Sequence, residues 1–516
     1  MSASPARRPD GSAGPGPRPG RSGTREELAR WLRDIDAAPP GPSVGAYFDF
    51  DGTLIRGHSA AAFCVNRLRH GEWPTEAWHA LTSAGPRRIA ADLSRARSGV
   101  ENHAAARLGA AAAAHWHGRP VDELHALADR VFAEDIAPRV LRDTWMLARA
   151  HQARGHTVVI ATAASTPQVA PLARALGVER LLCTPVRVAG GRVDCRTQAP
   201  LCAGDGKLRA VREHAAGAGV RLADSFAYCD GYEDLPLLES VGRPRVVNPR
   251  GALREVARER GWPVARPGPE QRAGLGGALV STLAAAGATV TALSASLAVA
   301  TVTGSRSDAA TTALRVGSDL VLRAAGVRVD VVTGAAHLRE RRPAVFVANH
   351  ASPVDAVVLA HLLRDDWCAV AKRELADVPA LGAFLRFADV LFVDRADRDQ
   401  SESVLDAAVT RLRAGTSVVM EPEGTRAVTP DLGPFRTGAF RLAARAGVPV
   451  VPVVLRNTTD VMARAGLLLR PGRVEVAVLP PVETRGWRER DIRRHTDRVR
   501  AAVERTLRCW PSPDSC

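Results

Sequence analysis

From residue 273 to residue 304 not one side chain is charged. That run exceeds the roughly twenty residues a helix needs to cross a bilayer. It is only weakly apolar, being rich in Ala, Gly, Ser and Thr. Two readings stay open: a membrane-embedded helix or helical hairpin, or a buried helix with a flexible linker. A linker of Arg, Pro and Gly at 266–269 precedes it, so the chain divides here. On both sides short apolar runs alternate with helical patterns, which predicts parallel sheets and an α/β class. A chain of 516 residues also exceeds one ordinary core, at about 150 residues per domain.

The net charge of +15 favours an anionic partner: phosphate-bearing substrates or an anionic membrane surface. Aromatic residues make up only 4% of the chain, which argues against a base-stacking platform and a nucleic-acid partner. Arginine carries nearly all the positive charge. The lysines are Lys207 and Lys372, and a lysine kept in such a chain suggests a place arginine cannot fill. The eight cysteines form no C-x-x-C pair, so reduced cytosolic thiols are expected. No signal peptide is expected, because the first forty residues lack an apolar core.

The chain then reads as follows. Residues 1–43 are a disordered basic tail with a short helix at 25–35. Strands are expected at 44–50, 157–162 and 225–229, with helices over most of 54–137 and at 141–154 and 166–176. In the second half a helix is expected at 309–325, and strands at 327–333, 344–348, 417–420, 450–455 and 474–479. The segment 485–500, with seven arginines against three acids, is a basic tail expected as a membrane-facing helix or an ordinary solvated helix.

The first chemical stretch is Asp49-Phe50-Asp51-Gly52-Thr53, just past a strand. Carboxylates at i and i+2 can face one crevice; one can attack a phosphoryl group while the other moves protons. Thr162 ends the next strand, Lys207 follows in Gly204-Asp205-Gly206-Lys207, and Asp230 and Asp234 follow a third. In this order the set resembles the haloacid dehalogenase-like phosphohydrolases, over about 44–264, in the branch that includes phosphoserine phosphatase. The resemblance implies a Rossmann-like domain (44–267) with a helical cap at about 57–145. It implies Asp49 as nucleophile, through an aspartyl-phosphate, and Asp51 as general acid/base. Thr162 and Lys207 would hold phosphoryl oxygens, and Mg²⁺ would sit on Asp49, Asp51 (through its carbonyl) and Asp230, with Asp234 in support. Gly52 stands where phosphoserine phosphatases usually carry Ser, and Glu233 where they carry Asn, which counts against phosphoserine as substrate.

The second stretch is 344–359, where an apolar run delivers His350 and then Asp355. The spacing lets a turn bring the carboxylate onto the imidazole, making a general base and its orienting partner. Ser352 is near, but its setting is not a nucleophile elbow. Downstream lie Phe392-Val393-Asp394-Arg395, Glu421-Pro422-Glu423-Gly424-Thr425-Arg426, and a run at 448–453 holding Pro449 and Pro452. Together these blocks resemble the glycerolipid acyltransferases, in particular the 1-acyl-glycerol-3-phosphate acyltransferases, over about 309–482. By that resemblance His350 and Asp355 are catalytic. Lys372, Arg395, Glu423, Gly424, Thr425 and Arg426 bind substrate, the arginines on its phosphate. Acyl-CoA or acyl carrier protein is the donor and a lysophospholipid the acceptor. Glu421 departs from the apolar or aromatic residue usual there, and Arg436 from a common lysine.

The expected organisation is a phosphohydrolase at 44–267, a linker or membrane-associated segment at 268–308, an acyltransferase at 309–485 and a basic tail at 486–516. The expected enzyme makes phosphatidate and hydrolyses a phosphomonoester, phosphatidate itself being one option, at the cytoplasmic face of the cell membrane. Two other readings are independent activities, with a small soluble phosphate for the phosphatase, and a non-catalytic membrane scaffold.

Overall fold

The computed structural model describes residues 21–72, 116–194, 202–268, 274–379, 381–394, 397–464 and 466–511. Its first sheet has the spatial order Arg180–Thr184, Thr157–Ser165, Gly45–Phe48, Phe226–Cys229, Arg243–Val247, Val264–Ala265. Every neighbouring pair is parallel. Gly45–Phe48 and Phe226–Cys229 are buried throughout, because helices cover both faces and neither can be polar. That explains why these strands read as apolar runs rather than as alternation.

The second sheet runs Leu391–Val393, Trp367–Lys372, Ser417–Met420, Val345–Ala348, Val450–Arg456, Gly472–Val478, Val327–Thr333. Its pairs are parallel except Val450–Arg456 with Gly472–Val478, which is antiparallel. The reading of the sequence missed Trp367–Lys372 and Leu391–Val393, which are only half-buried and lack the buried-strand signature.

The chargeless run folds as one continuous helix, Leu275–Thr303, capped by Gly304 in the left-handed conformation. A second helix, Arg306–Ala324, turns back against it. Ala278, Ser281, Ala285, Ala292 and Ser296 are buried on the first helix, and Ser296 Oγ donates to Ala309 O at 2.6 Å. Small residues at roughly seven-residue spacing let two helices approach closely. The other side is bare: Val280, Leu283, Val290 and Leu297 are each about two-thirds exposed. By length and composition, Gly276–Thr303 could cross a membrane. The buried-helix reading fails, since only 17% of its apolar window is buried.

Two expected tails are parts of the cores. The N-terminal helix Arg21–Ala37 buries Trp31 and Ile35 in the first core, so residues 21–37 are not disordered tail. The helix Ile492–Arg508 buries Ile492, Thr496, Val499, Val503 and Leu507. Its arginines lie mostly on the outer face of an amphipathic helix, so the helix expected in the basic tail is present and packs one face into the core. Of the cysteines, Cys64, Cys183, Cys202, Cys229 and Cys368 are free thiols, but Cys509 is disulfide-bonded, against the expectation of reduced thiols throughout.

The two halves touch. Arg56 pairs with Asp460 at 3.0 Å and Arg456 with Asp143 at 3.0 Å. Asp431 accepts from Trp145 Nε1 at 2.7 Å and from Arg149 Nε at 3.2 Å. Such partly exposed pairs fix orientation more than they add stability.

Candidate active sites

The first site sits at the carboxyl ends of three adjacent strands. Phe48 pairs with Ile160 on one side and Tyr228 on the other. Asp49, Thr162 and Asp230 therefore emerge side by side, where crevices form in open parallel sheets. Lys207 lies in the first turn of the helix Asp205–Ala218 and is 3% exposed. Its Nζ is 3.0 Å from Asp49 Oδ1 and 2.6 Å from Asp234 Oδ1. Burial alone would depress the ammonium's pKa, but Asp234 and Asp49 carry it well above the usual lysine value. Asp234, expected among the metal ligands, thus gives its carboxylate to the lysine.

Asp51 accepts from Ser59 N at 2.8 Å and Ser59 Oγ at 3.1 Å. Desolvation, with the charge of Asp49 adding to it, lifts its pKa to about 7 despite those bonds. Asp230 is driven well above the carboxylate range, first by burial and then by Asp49. Arg250 Nε lies 3.1 Å from Asp230 Oδ2. Acids repelling one another in a desolvated crevice fit a hard divalent cation with oxygen ligands. Gly52 explains its own departure. It has φ +81°, and a Cβ there would lie 2.0 Å from Asp230 Oδ2. Ser59, Arg250 and Asn248, which donates to Gly52 O at 3.2 Å, escaped the sequence reading because no local pattern ties them to the aspartates.

The second site begins where Val345–Ala348 ends. His350 Nδ1 is 3.0 Å from Asp355 Oδ2, on the first turn of the helix Val354–Leu363. The same oxygen accepts from Ala351 N and Ser352 N, each at 2.8 Å. Asp355 is fully buried, so the turn and helix start hold its charge in place. Glu421 Oε1 lies 2.9 Å from the same Nδ1. One Nδ1–H can donate to only one acceptor; Asp355 takes it, and Glu421 Oε1 stays without a hydrogen bond. Burial would lower the imidazole's pKa, yet Asp355 and Glu421 raise it to about 9. With Nδ1 protonated, Nε2 is the free nitrogen for chemistry. The ligand atoms of His350, Asp355 and Glu421 lie within 4.8 Å of one another, as a cation site would need. The two backbone bonds to Asp355 Oδ2 favour the ion-pair arrangement.

The remaining expected binders divide. Glu423 is 7% exposed and accepts from His350 N and Gly433 N, each at 2.8 Å. Both oxygens serve backbone, so it positions the His350 loop rather than presenting itself to substrate. Gly424 turns with φ +76° and Thr425 is exposed. Arg426 donates to Arg464 O, and Arg464 Nε returns a bond to Arg426 O at 2.9 Å. Lys372 ends Trp367–Lys372, with Ser417–Met420 between it and Val345–Ala348. Arg395 lies outside the described residues.

A family model described as haloacid dehalogenase-like hydrolase matches residues 46–239. A probable phosphatase of Mycobacterium tuberculosis is 33% identical over 232 residues, 44% of this chain and 76% of that one. The chain belongs to the haloacid dehalogenase-like hydrolases. This hydrolase also carries a second domain, since an acyltransferase family model matches residues 330–456. The 1-acyl-sn-glycerol-3-phosphate acyltransferase alpha of Ovis aries is 37% identical over 179 residues, 34% of this chain. The hydrolase chain spans 62% of that acyltransferase's length. A solved 1-acyl-sn-glycerophosphate acyltransferase of Thermotoga maritima aligns at 24% identity and a TM-score of 0.37, over 44% of this chain and 94% of that one.

Proposed function

We propose that the chain is a bifunctional lipid enzyme: an acyltransferase acting on 1-acyl-glycerol-3-phosphate and a phosphatase acting on a phosphomonoester. The observation that carries the reading is the pairing of His350 with a fully buried, backbone-held Asp355 in a chain that also holds the Asp49–Lys207–Asp234 array.

In the acyltransferase, His350 Nε2 takes the proton of the acceptor hydroxyl. That oxygen bonds to the thioester carbonyl carbon, the C–S bond breaks, and the thiolate leaves to be protonated. Asp355 fixes the tautomer and offsets the imidazolium charge. Acyl-CoA or acyl carrier protein supplies the thioester, while Lys372, Arg395, Arg426 and the Gly424–Thr425 turn receive the acceptor.

In the phosphatase, Asp49 attacks phosphorus. The ester P–O bond breaks, and Asp51, whose pKa of about 7 suits proton transfer near neutrality, protonates the leaving alcohol. Water then releases phosphate from the aspartyl-phosphate. Lys207 and Thr162 hold phosphoryl oxygens. Asp49, the Asp51 carbonyl and Asp230 would hold Mg²⁺, which supplies charge neutralisation. Phosphatidate, the acyltransferase product, is the substrate we favour. The exposed apolar face of Leu275–Thr303 supports a membrane location, with the catalytic domains on the cytoplasmic side, where acyl thioesters are made.

The test is a pair of assays on one preparation. Acyl-CoA with lysophosphatidate should give phosphatidate, and added phosphatidate should give phosphate. Hydrolysis of small soluble phosphates alone would remove the lipid phosphatase.

A further inference from the structure

One cavity, of about 990 Å³, lies between the halves, opens onto His350 and runs to the edge of the phosphatase centre. Its phosphatase wall includes Gly52, next in the chain to Asp51, and Arg250, the partner of Asp230. Its acyltransferase wall includes His350 itself.

The charges along this wall do not balance. Seven arginines line it against four acids, and every acid is already engaged. Asp143 holds Arg456, Asp460 holds Arg56, Asp431 holds Arg149 and Trp145, and Glu423 takes two backbone N–H groups. Arg142 has no hydrogen bond or ion pair among the described residues, and its Nε is buried without a partner. Arg456 Nε is buried and unpartnered too. Burial first, and the nearby Arg456 second, lower the Arg142 pKa to about 10. Two neighbouring guanidiniums, desolvated and with donors left over, match a phosphomonoester dianion, which forked donors bind well.

We propose that Arg142 and Arg456 form an anion-binding station in a passage joining the two centres, where the phosphomonoester made at His350 is held and handed to Asp49 without release. The inference rests on the lipid reading above. It adds a binding site outside both centres, and it places hydrolysis directly downstream of acylation. The chemistry agrees: acylation leaves the phosphomonoester intact, and that is the group the other centre consumes.

A dilution experiment on the full-length protein tests it. Mixed micelles hold lysophosphatidate labelled in its phosphate, acyl-CoA, and an excess of unlabelled phosphatidate. Labelled phosphate should be released without a lag, far above the yield expected if the label mixed with the added phosphatidate. Arg142→Gln should make the added lipid compete, so that release falls toward the full dilution factor, and Arg142→Lys should restore part of the difference. Full dilution in the wild-type protein overturns the passage, as does an Arg142→Gln variant as resistant to dilution as wild type. Acylation of lysophosphatidate and hydrolysis of added phosphatidate are measured on the same preparation. If either is missing, the lipid reading itself has failed and the passage with it; if both are present and the label is fully diluted, only the passage has. Inorganic phosphate serves as a second probe. Binding that Arg142→Gln abolishes while dilution resistance persists would make this a free-phosphate site and sink the hand-over.

Discussion

The two centres solve one electrostatic problem with opposite signs. Around Asp49 a buried lysine sits between carboxylates, and neighbouring Asp230 is pushed up by burial and by Asp49. Around His350 an imidazole sits between two carboxylates, and it is the base that is pushed up, to about 9. Both arrays stand at the carboxyl ends of buried parallel strands. The first is short of positive charge and suits a cation and an anionic phosphoryl group. The second has an excess of negative charge on a single nitrogen, which suits stabilising an imidazolium. The same kind of platform thus serves two chemistries, because what differs is which group lies in the middle.

That contrast can be broken one residue at a time. The largest effect belongs to Asp49→Asn. Removing the proposed nucleophile should cut phosphate release by at least about a thousandfold while acyl transfer continues, as parallel assays would reveal. Next comes Glu423→Ala, which strands the N–H groups of His350 and Gly433. It should cost about 2 kcal/mol in denaturant unfolding and slow acyl transfer without touching phosphate release.

Glu421→Leu is subtler and tests the comparison itself. A general base works when deprotonated, so kcat/KM for acyl transfer should climb as pH rises and level off above about 9. Glu421 is the second carboxylate, after Asp355, whose negative charge raises the His350 pKa. Without it the whole curve should move to lower pH, leaving the variant faster than wild type near neutrality. An unmoved curve would mean that Glu421 does not tune the base. The smallest effect is expected at Asp431→Ala. Its contacts with Trp145 and Arg149 are partly exposed, so the free energy of denaturant unfolding should fall by less than about 1 kcal/mol.

Much of both centres was legible because their key residues are close in sequence. Asp49 and Asp51 flank one residue at a strand end, and His350 and Asp355 are separated by one turn. Apolar runs marked the buried strands for the same reason that fully covered strands tolerate no polar residue. Other features depended on distant chain segments. Ser59 reaches Asp51 across a loop, Arg250 reaches Asp230 from the loop that follows the neighbouring strand Arg243–Val247, and Arg142 meets Arg456 only across the junction of the halves. Glu423 looked like a substrate ligand because its block carries arginine and glycine, but its carboxylate ties down backbone. The helix Ile492–Arg508 read as membrane-facing or solvated because its arginines mask a narrow buried stripe.

We propose that one chain holds two complete and separable centres. His350→Ala, assayed for both reactions on one preparation, tests it most directly. Acyl transfer should fall by about a hundredfold or more, and phosphate release from added phosphatidate should stay at the wild-type rate. Acyl transfer persisting at the wild-type rate would remove His350 from the acyl-transfer centre.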